Sequence, residues 1–255
     1  ADTPDFLRWR VMTDYAEAAL TYDNTRTHDD GVIDLFARKF DFRSGIPFLD
    51  FGCGTGSYLS RICDRYDCEG FGTEPSDGMR TIAVRKNPNL ELKRGDHRST
   101  GFPKGMFGFV YMTDVIHHVS DRDQLFRTLF AGLKPGGLLA ILTESHAQIV
   151  SRWYNEYFPS LAANELSRYP DIAEIEREAS AVGFTALVAD VRRLGDSGTV
   201  SDDFIRTVRE KNYSMFRNLG EEEYRKGLEA LERDRGSAIS PSNHGETIVW
   251  LKKGH

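Results

Sequence analysis

Several features are scarce in this 255-residue chain, and each scarcity argues against a class of protein. The three cysteines, Cys53, Cys63 and Cys68, are an odd set without C-x-x-C spacing, so we expect reduced thiols rather than a disulfide framework. No apolar run approaches the roughly 20 residues that cross a bilayer. Residues 1–5 lack the basic and apolar pattern of a signal peptide. We therefore expect a cytoplasmic protein without a membrane partner.

Positive charge is also in deficit. The chain has 33 Lys and Arg against 39 Asp and Glu, which gives a formal net charge of −6. This balance argues against a nucleic acid as the main partner. No internal repeat is visible, and 40% hydrophobic residues are ordinary for a globular protein. The length suits a single domain over residues 1–255, with room for a cap.

The most informative stretch is a glycine loop, Phe51-Gly52-Cys53-Gly54-Thr55-Gly56. It follows an apolar run that ends in Asp50, and it precedes apolar residues at helical spacing over 59–66. Glycine tolerates positive φ and lets a ligand approach the backbone closely. The N-terminus of the following helix offers free N–H groups. This strand–loop–helix pattern predicts a site for a nucleotide-like cofactor.

Strand and helix patterns alternate along most of the chain. Lys134-Pro135-Gly136-Gly137 is expected to end one of the helices. The alternation predicts an α/β, doubly wound, mostly parallel seven-stranded sheet whose final strand is antiparallel, with ligands at the carboxyl ends of the strands. The predicted strands cover residues 46–49, 70–73, 90–93, 106–112, 138–143, 186–191 and 246–251.

Three segments interrupt the alternation and are predicted to form helical caps: residues 1–40, 145–170 and 201–243. In the first, Tyr22 lies in a polar break and is expected to line the mouth of the cofactor site. The second contains an aromatic group at residues 153–158. Most of these rings should form the core of the cap, and one or two should face a substrate.

Two carboxylates follow the strands beyond the glycine loop. Glu74 ends the second strand about 20 residues after Gly54, where an acid can accept hydrogen bonds from both hydroxyls of a ribose. Asp96 ends the third strand, where a carboxylate can accept a hydrogen bond from an adenine amine. Each alone could equally be a helix cap or a turn residue. Their succession after Asp50 and the glycine loop favours a cofactor that contains adenosine.

The spacing G-x-G-x-G differs from the G-x-G-x-x-G of nicotinamide-dependent enzymes. The chain resembles the class I S-adenosylmethionine-dependent methyltransferases, most closely the small-molecule group similar to those of quinone biosynthesis. One departure is Gly108, where that family often has an aspartate. The resemblance covers about residues 45–190 and the last strand, and it rests on residues 48–56, 73–76, 95–96, 110–119 and 133–143.

The resemblance implies S-adenosylmethionine as cofactor, S-adenosylhomocysteine as its product, and a role for each matching residue. Asp50 and the backbone of Gly52 and Gly54 should face the methionine portion, Thr113 should lie near it, and Gly56 should also belong to the cofactor site. Glu74 should hold the ribose, and Asp96 with His97 the adenine. His117 and His118 are candidate proton acceptors, because histidine titrates near neutrality. Alternatively, either histidine shapes its loop through a hydrogen bond to the backbone.

No metal site is predicted, because neither the adjacent histidines nor the cysteines have the spacing of a ligand set. A set of thiolates could bind arsenic, which some methyltransferases of this broad fold methylate, but Cys63 lies on an apolar helix stripe and is better explained as a buried hydrophobe. The predicted function is direct in-line methyl transfer to a small-molecule acceptor. The alternatives are a non-catalytic S-adenosylmethionine-binding protein, a nicotinamide-dependent oxidoreductase, and a nucleic-acid or protein methyltransferase. The acceptor and the oligomeric state stay open.

Overall fold

The computed structural model describes residues 29–194, 198–240 and 242–254. Helices and strands alternate through most of this range, as the sequence predicts. The strands are β1 Phe48–Phe51, β2 Phe71–Thr73, β3 Glu91–Lys93, β4 Phe107–Thr113, β5 Leu133–Thr143, β6 Phe184–Ala186, β7 Asp190–Arg193 and β8 Gly245–Lys253. The helices are α1 Asp30–Ala37, α2 Ser57–Tyr66, α3 Asp77–Lys86, α4 Arg122–Gly132, α5 His146–Val150, α6 Leu161–Leu166, α7 Ile172–Val182, α8 Asp202–Arg209, α9 Ser214–Arg217 and α10 Glu221–Arg233, with 3-10 turns at Ile116–His118 and Trp153–Glu156.

The strands form one sheet in the order β3-β2-β1-β4-β5-β8-β6, and β7 also pairs with β8. Strands β1 to β5 are parallel, and β8 is antiparallel to its neighbours β5, β6 and β7. The doubly wound, mostly parallel sheet is therefore confirmed. The single strand predicted at 186–191 is instead two short strands, because the chain turns outward between them and leaves Val188 87% exposed.

The core lies on both faces of the sheet. One apolar cluster includes Leu125 of α4 and Ile175 of α7, and the other includes Phe36 of α1 and Leu59 of α2. The central strand β4 is buried along nearly its whole length, as expected for a strand covered on both sides. Within it, a Cβ at Gly108 would overlap Ile46, which explains a glycine at this position.

The segments predicted as caps behave in two ways. Residues 145–170 and 201–240 form helices, and their side chains pack on each other in a separate cluster around Phe158 and Phe216. This assembly is called the cap below. Helix α1, in contrast, belongs to the sheet core, since its Val32, Ile33 and Phe36 are fully buried. The rest of the predicted N-terminal cap, with Tyr22, lies outside the described residues.

Candidate active site

A cavity of about 730 Å³ lies between the carboxyl edge of the sheet and the cap. Asp50, Gly52, Gly54 and Thr113 line it, so the structure brings these four predicted site residues together. The position agrees with the rule that ligands bind at the carboxyl ends of parallel strands. The other described site residues do not line the cavity: Gly56, Glu74, Asp96, His97, His117 and His118.

The glycine loop is fixed to the end of β2 by two hydrogen bonds. The backbone N–H groups of Gly52 and Cys53 both donate to the carbonyl oxygen of Thr73, at 2.7 and 3.0 Å. Gly54 has φ of +55°, and a Cβ there would meet no atom within 4 Å. A side chain at Gly54 would therefore occupy open space in the cavity, which only a glycine leaves free for a ligand.

Gly56 contributes to packing and does not line the cavity, and its contact with a cofactor stays a prediction. It precedes α2 with φ of +75°, and a Cβ would lie 3.2 Å from Cβ of Ala83 in α3. The absence of a side chain thus lets the start of α2 approach α3. The third glycine of the loop sets the direction of the helix, while Gly54 keeps the cavity open.

Asp50 is a buried carboxylate on the wall of the cavity. It is 1% exposed, and its Oδ1 atom has no hydrogen-bond partner among the described residues. Burial raises the pKa of Asp50 to about 8, and the charge of Glu74 adds to the shift, whereas the hydroxyl of Tyr111 opposes it. A buried acceptor without a donor costs free energy unless a ligand satisfies it. An amino cation is the group that such an atom would receive best.

Glu74 is tied to the backbone on both sides of its carboxylate. Its Oε2 accepts from the N–H of Gly54 at 3.1 Å, and its Oε1 accepts from the N–H of Ser76 at 2.9 Å. Burial raises the pKa of Glu74, although both hydrogen bonds act in the opposite direction. Each carboxylate oxygen keeps acceptor capacity, so the ribose assignment stays a prediction.

Asp96 and His97 lie in the turn after β3. Asp96 Oδ1 accepts from the N–H of Arg98 at 2.8 Å, and the carbonyl oxygen of His97 accepts from the hydroxyl of Thr128 at 2.7 Å. These contacts shape the turn, and Asp96 is half-buried beside it. Adenine binding by the two residues stays a prediction.

His117 and His118 lie in the 3-10 turn after β4. The ring of His117 stacks on Tyr169, with centroids 4.0 Å apart and planes 14° apart, and His118 packs against His117. Tyr169 lines the cavity and the histidines do not. In this placement the ring of His117 packs against a residue of the cavity wall, and both proton transfer and a loop-shaping hydrogen bond to the backbone stay predictions.

Three functional candidates were missed in the sequence: Asp114, Glu144 and Glu246, called the carboxyl triad below. All three line the cavity. Asp114 follows β4, Glu144 follows β5, and Glu246 lies near the start of the antiparallel β8, so neighbouring strands bring them to one edge. The sequence did contain a signal for these three residues, because each is an acidic residue at or near the end of a predicted strand.

Glu246 is a half-buried member of the carboxyl triad with a raised pKa. Burial raises its pKa to about 7, the charge of Asp114 adds to this, and Arg192 opposes it. Arg192 donates to Glu246 Oε2 at 2.8 Å and to Asp29 Oδ2 at 2.6 Å. The guanidinium of Arg192 therefore pairs with two carboxylates, and negative charges outnumber positive charges on this side of the cavity.

Arg152 lines the cavity beside Glu144, and its guanidinium is engaged with protein groups. Its side chain is 2% exposed and donates to both oxygens of Glu144, at 2.9 and 2.5 Å. Glu165 lies 3.7 Å away and also pairs with Arg168 at 2.7 Å. This network joins the end of β5 to the cap.

An aromatic wall completes the cavity. It consists of Trp153, Tyr154, Phe204 and Tyr213, which come from both cap insertions. The rings of Trp153 and Phe204 have centroids 4.7 Å apart, and those of Tyr154 and Phe204 5.1 Å. Two rings of the 153–158 group thus face the cavity, whereas Phe158 is buried in the cap core, as the sequence indicated.

The cysteines are free thiols. Cys53 lines the cavity and Cys63 is buried in the core, which confirms the hydrophobic interpretation of Cys63. Across the described ranges, no three His, Cys, Asp or Glu side chains are placed to hold a metal ion. None of the helices in that part of the chain is long and apolar enough to span a membrane.

The chain is similar to known proteins over most of its length. The methyltransferase-domain family matches residues 22–189. A relative described as an uncharacterized methyltransferase of Exiguobacterium sibiricum is 29% identical over 191 residues, which is 72% of this chain and 80% of that protein. A solved structure of a putative methyltransferase from an antibiotic biosynthesis pathway of Anabaena variabilis has a TM-score of 0.70 at 20% identity, covering 89% of this chain and 98% of that one.

A shorter match links the chain to enzymes with a named substrate. Phosphoethanolamine N-methyltransferase 1 of Arabidopsis thaliana is 31% identical over 110 residues, which is 42% of this chain. The match spans only 22% of that protein's length. The similarity therefore supports the family and leaves the substrate open.

Proposed function

Because the chain belongs to the methyltransferase-domain family, whose class I members use S-adenosylmethionine, we propose that it transfers a methyl group from this donor to a small-molecule acceptor. The observation that carries the proposal is the cavity at the glycine loop. It combines open space at Gly54 with an unsatisfied buried acceptor at Asp50 Oδ1. S-adenosylmethionine supplies a methyl group on a cationic sulfur when it is bound there.

The residues at the donor end fit this molecule. Asp50 offers a carboxylate to the amino cation of the methionine portion, and Gly52 and Gly54 provide a backbone that can be approached closely. We assign the ribose to Glu74 and the adenine to Asp96. Glu74 is joined to the loop through Gly54, so the ribose site and the loop would be ordered together.

The cap supplies the acceptor end and the exclusion of water. Direct methyl transfer needs the acceptor atom in line with the methyl carbon, and good positioning is worth roughly 7–11 kcal/mol in effective molarity. The partly exposed aromatic wall and the buried Arg152–Glu165 pair with Glu144 can hold an acceptor in one orientation. The placement in the quinone-biosynthesis group stays a prediction.

Two alternatives remain to be separated from this proposal. The G-x-G-x-G spacing disfavours a nicotinamide-dependent oxidoreductase. A thermal-shift assay should show stabilisation by S-adenosylhomocysteine and none by NAD. A non-catalytic binding protein would give the same shift, so turnover must be measured separately.

The turnover test uses S-adenosylmethionine with an isotopically labelled methyl group. The protein is incubated in parallel with a metabolite panel, with RNA and with a protein extract. We expect label in the small-molecule fraction together with release of S-adenosylhomocysteine. Label confined to RNA or protein would contradict the proposal, and binding without transfer to any fraction would support the non-catalytic alternative.

A further inference from the structure

We propose that the acceptor is a protonated amine on an apolar or aromatic body, without a phosphate group, and that Glu246 binds its nitrogen. This inference rests on the proposed methyl transfer and adds the chemical class of the acceptor. It follows from the charge and the side-chain chemistry of the cavity, taken one wall at a time.

The cavity wall has an excess of acidic groups. Seven of the described lining residues are Asp or Glu, whereas Arg152 is the only Lys or Arg among them. Behind the lining, Arg61, Arg168 and Arg192 pair with lining carboxylates, so four arginines serve seven acids. Arg152 already binds Glu144 through two hydrogen bonds and lies 3.7 Å from Glu165. Independently, Asp50 lines the same cavity, and its buried Oδ1 atom has no hydrogen-bond partner among the described residues. Both observations indicate a cavity that receives positive charge.

The cation of the methyl donor does not account for all of this charge. Asp50 and the glycine loop lie at the end of β1, whereas the carboxyl triad lies at the ends of β4 and β5 and in β8. Glu246 binds Arg192 through Oε2 alone, and no described residue donates to its other oxygen. Arg192 is shared with Asp29. Glu246 therefore has both the charge and a free acceptor atom for a second cation.

The aromatic wall defines the rest of the acceptor. Trp153 and Phe204 are partly exposed to the cavity, and Met215 lies near them beside Arg152. Aromatic faces attract cations at roughly 0.5–2 kcal/mol each and also cover flat apolar groups. An amine whose nitrogen meets the carboxyl triad can thus rest its apolar body on the cap.

A phosphorylated amine fits this cavity poorly. A phosphate dianion would need paired donors such as free arginines, which the described lining does not provide. Close approach to the carboxylates would be repulsive instead. The acceptor of this chain should therefore differ from the phosphoethanolamine that gives the Arabidopsis relative its name.

The carboxylate of Glu246 also completes the chemistry. The ammonium gives one proton to this carboxylate, its nitrogen lone pair forms a bond to the methyl carbon, and the carbon–sulfur bond breaks with its electron pair left on sulfur. The products are the N-methylated ammonium, the thioether S-adenosylhomocysteine and protonated Glu246. The charged groups that act on Glu246 are Asp114, Arg192, Asp29 and Glu144, and the hydroxyl of Tyr58 lies within reach of the same carboxylates.

The test is calorimetric titration of the protein saturated with S-adenosylhomocysteine. The probes are 2-phenylethylamine, tyramine and tryptamine, with 2-phenylethanol as the neutral counterpart, phenylacetate as the anionic one, and phosphoethanolamine. At least one arylalkylamine should bind ten times more tightly than 2-phenylethanol, and phosphoethanolamine should bind most weakly of the amines.

The variants are Glu246→Gln and a matched control, Glu178→Gln. Glu178 also pairs with an arginine, Arg122 at 2.7 Å, and its side chain is 26% exposed against 25% for Glu246, but it lies on α7 outside the cavity. Glu246→Gln should weaken amine binding at least tenfold and leave 2-phenylethanol unchanged, whereas Glu178→Gln should change neither.

Three results would overturn the inference: no preference for any amine over its alcohol, tightest binding by phenylacetate or phosphoethanolamine, or equal amine affinity in Glu246→Gln and wild type. In each case binding of S-adenosylhomocysteine would leave the proposed methyl transfer standing. Failure to bind S-adenosylhomocysteine would instead count against the proposed function itself.

Discussion

Glu74 Oε2 accepts a hydrogen bond from the backbone N–H of Gly54 at 3.1 Å, while Oε1 accepts one from Ser76 at 2.9 Å. One buried side chain thus joins the glycine loop after β1 to the start of α3. The residue assigned to the ribose is also the residue that orders the loop. Its substitution should therefore affect ligand binding and stability together.

We predict that Glu74→Ala weakens the binding of S-adenosylhomocysteine by at least tenfold. A hydrogen bond to a charged group is worth roughly 1.5–3 kcal/mol, and two backbone donors also lose their acceptor. Glu74→Gln keeps one acceptor oxygen, so its affinity for S-adenosylhomocysteine should lie between the affinities of Glu74→Ala and wild type. Calorimetric titration gives the affinities, and unchanged affinity in Glu74→Ala would refute the ribose assignment.

Gly54→Ala should abolish cofactor binding at a small cost in stability. Its Cβ would enter the open cavity, and the positive φ adds roughly 1–2 kcal/mol of strain. Gly105→Ala is the matched control, with φ of +65°, no atom within 4 Å of its Cβ and a position outside the cavity. Thermal unfolding should show similar losses for both variants. Tight binding of S-adenosylhomocysteine by Gly54→Ala would contradict the assignment.

Asp50→Asn should stabilise the ligand-free protein at pH 8. Because the folded-state pKa of Asp50 is raised from 3.8 to about 8, its stability contribution is complete below pH 3.8 and is lost as the pH rises through about 8. By linkage the variant gains stability on the order of a few kcal/mol at pH 8 and little at pH 4. Urea unfolding at the two pH values measures this. A variant less stable than wild type at pH 8 would show that Asp50 is satisfied within the fold.

The affinity for an arylalkylamine should fall as the pH drops below about 7. The pKa of Glu246 is raised to about 7, so its carboxyl group becomes neutral below that pH and no longer attracts the ammonium. The amines stay protonated throughout. Titrations between pH 5.5 and 8 should show this loss in wild type and a flatter profile in Glu246→Gln. Parallel profiles in the two proteins would assign the titration to another group.

Arg152→Met should destabilise the protein by about 3–5 kcal/mol, because it leaves Glu144 and the buried Glu165 without their shared partner. Arg127→Met is the control, since Arg127 makes a similar two-point pair with Asp123 on the exposed face of α4. An exposed pair is worth about 1 kcal/mol or less. Urea unfolding measures both variants. Equal losses of unfolding free energy would show that the buried network stabilises the protein no more than an exposed ion pair does.

Much of the fold was predictable because local patterns and tertiary packing agree. The β1–loop–α2 unit, the buried strand β4 and the antiparallel β8 each have a periodicity that matches their burial. The packing of helix α1 on the sheet was not apparent, since an apolar stripe such as Val32 and Phe36 shows that a helix is buried but does not show which surface it covers. No sequence pattern predicts the outward turn at Val188, which divides the predicted strand in two.

The site was predictable at the donor end and not at the acceptor end. Asp50, Gly52, Gly54 and Thr113 lie within or beside contiguous motifs and do line the cavity. The carboxyl triad comes from residues far apart in sequence, and only strand pairing makes Glu144 and Glu246 neighbours. Likewise, His117 looked reactive in the sequence, but its side chain stacks on Tyr169.

The most direct test of the account is a crystal structure of the protein with S-adenosylhomocysteine. We expect the amino group of the ligand within hydrogen-bonding distance of Asp50, the ribose hydroxyls on Glu74, and the sulfur directed toward the aromatic wall and Glu246. A ligand bound away from the glycine loop, or one whose sulfur faces away from the carboxyl triad, would contradict the account.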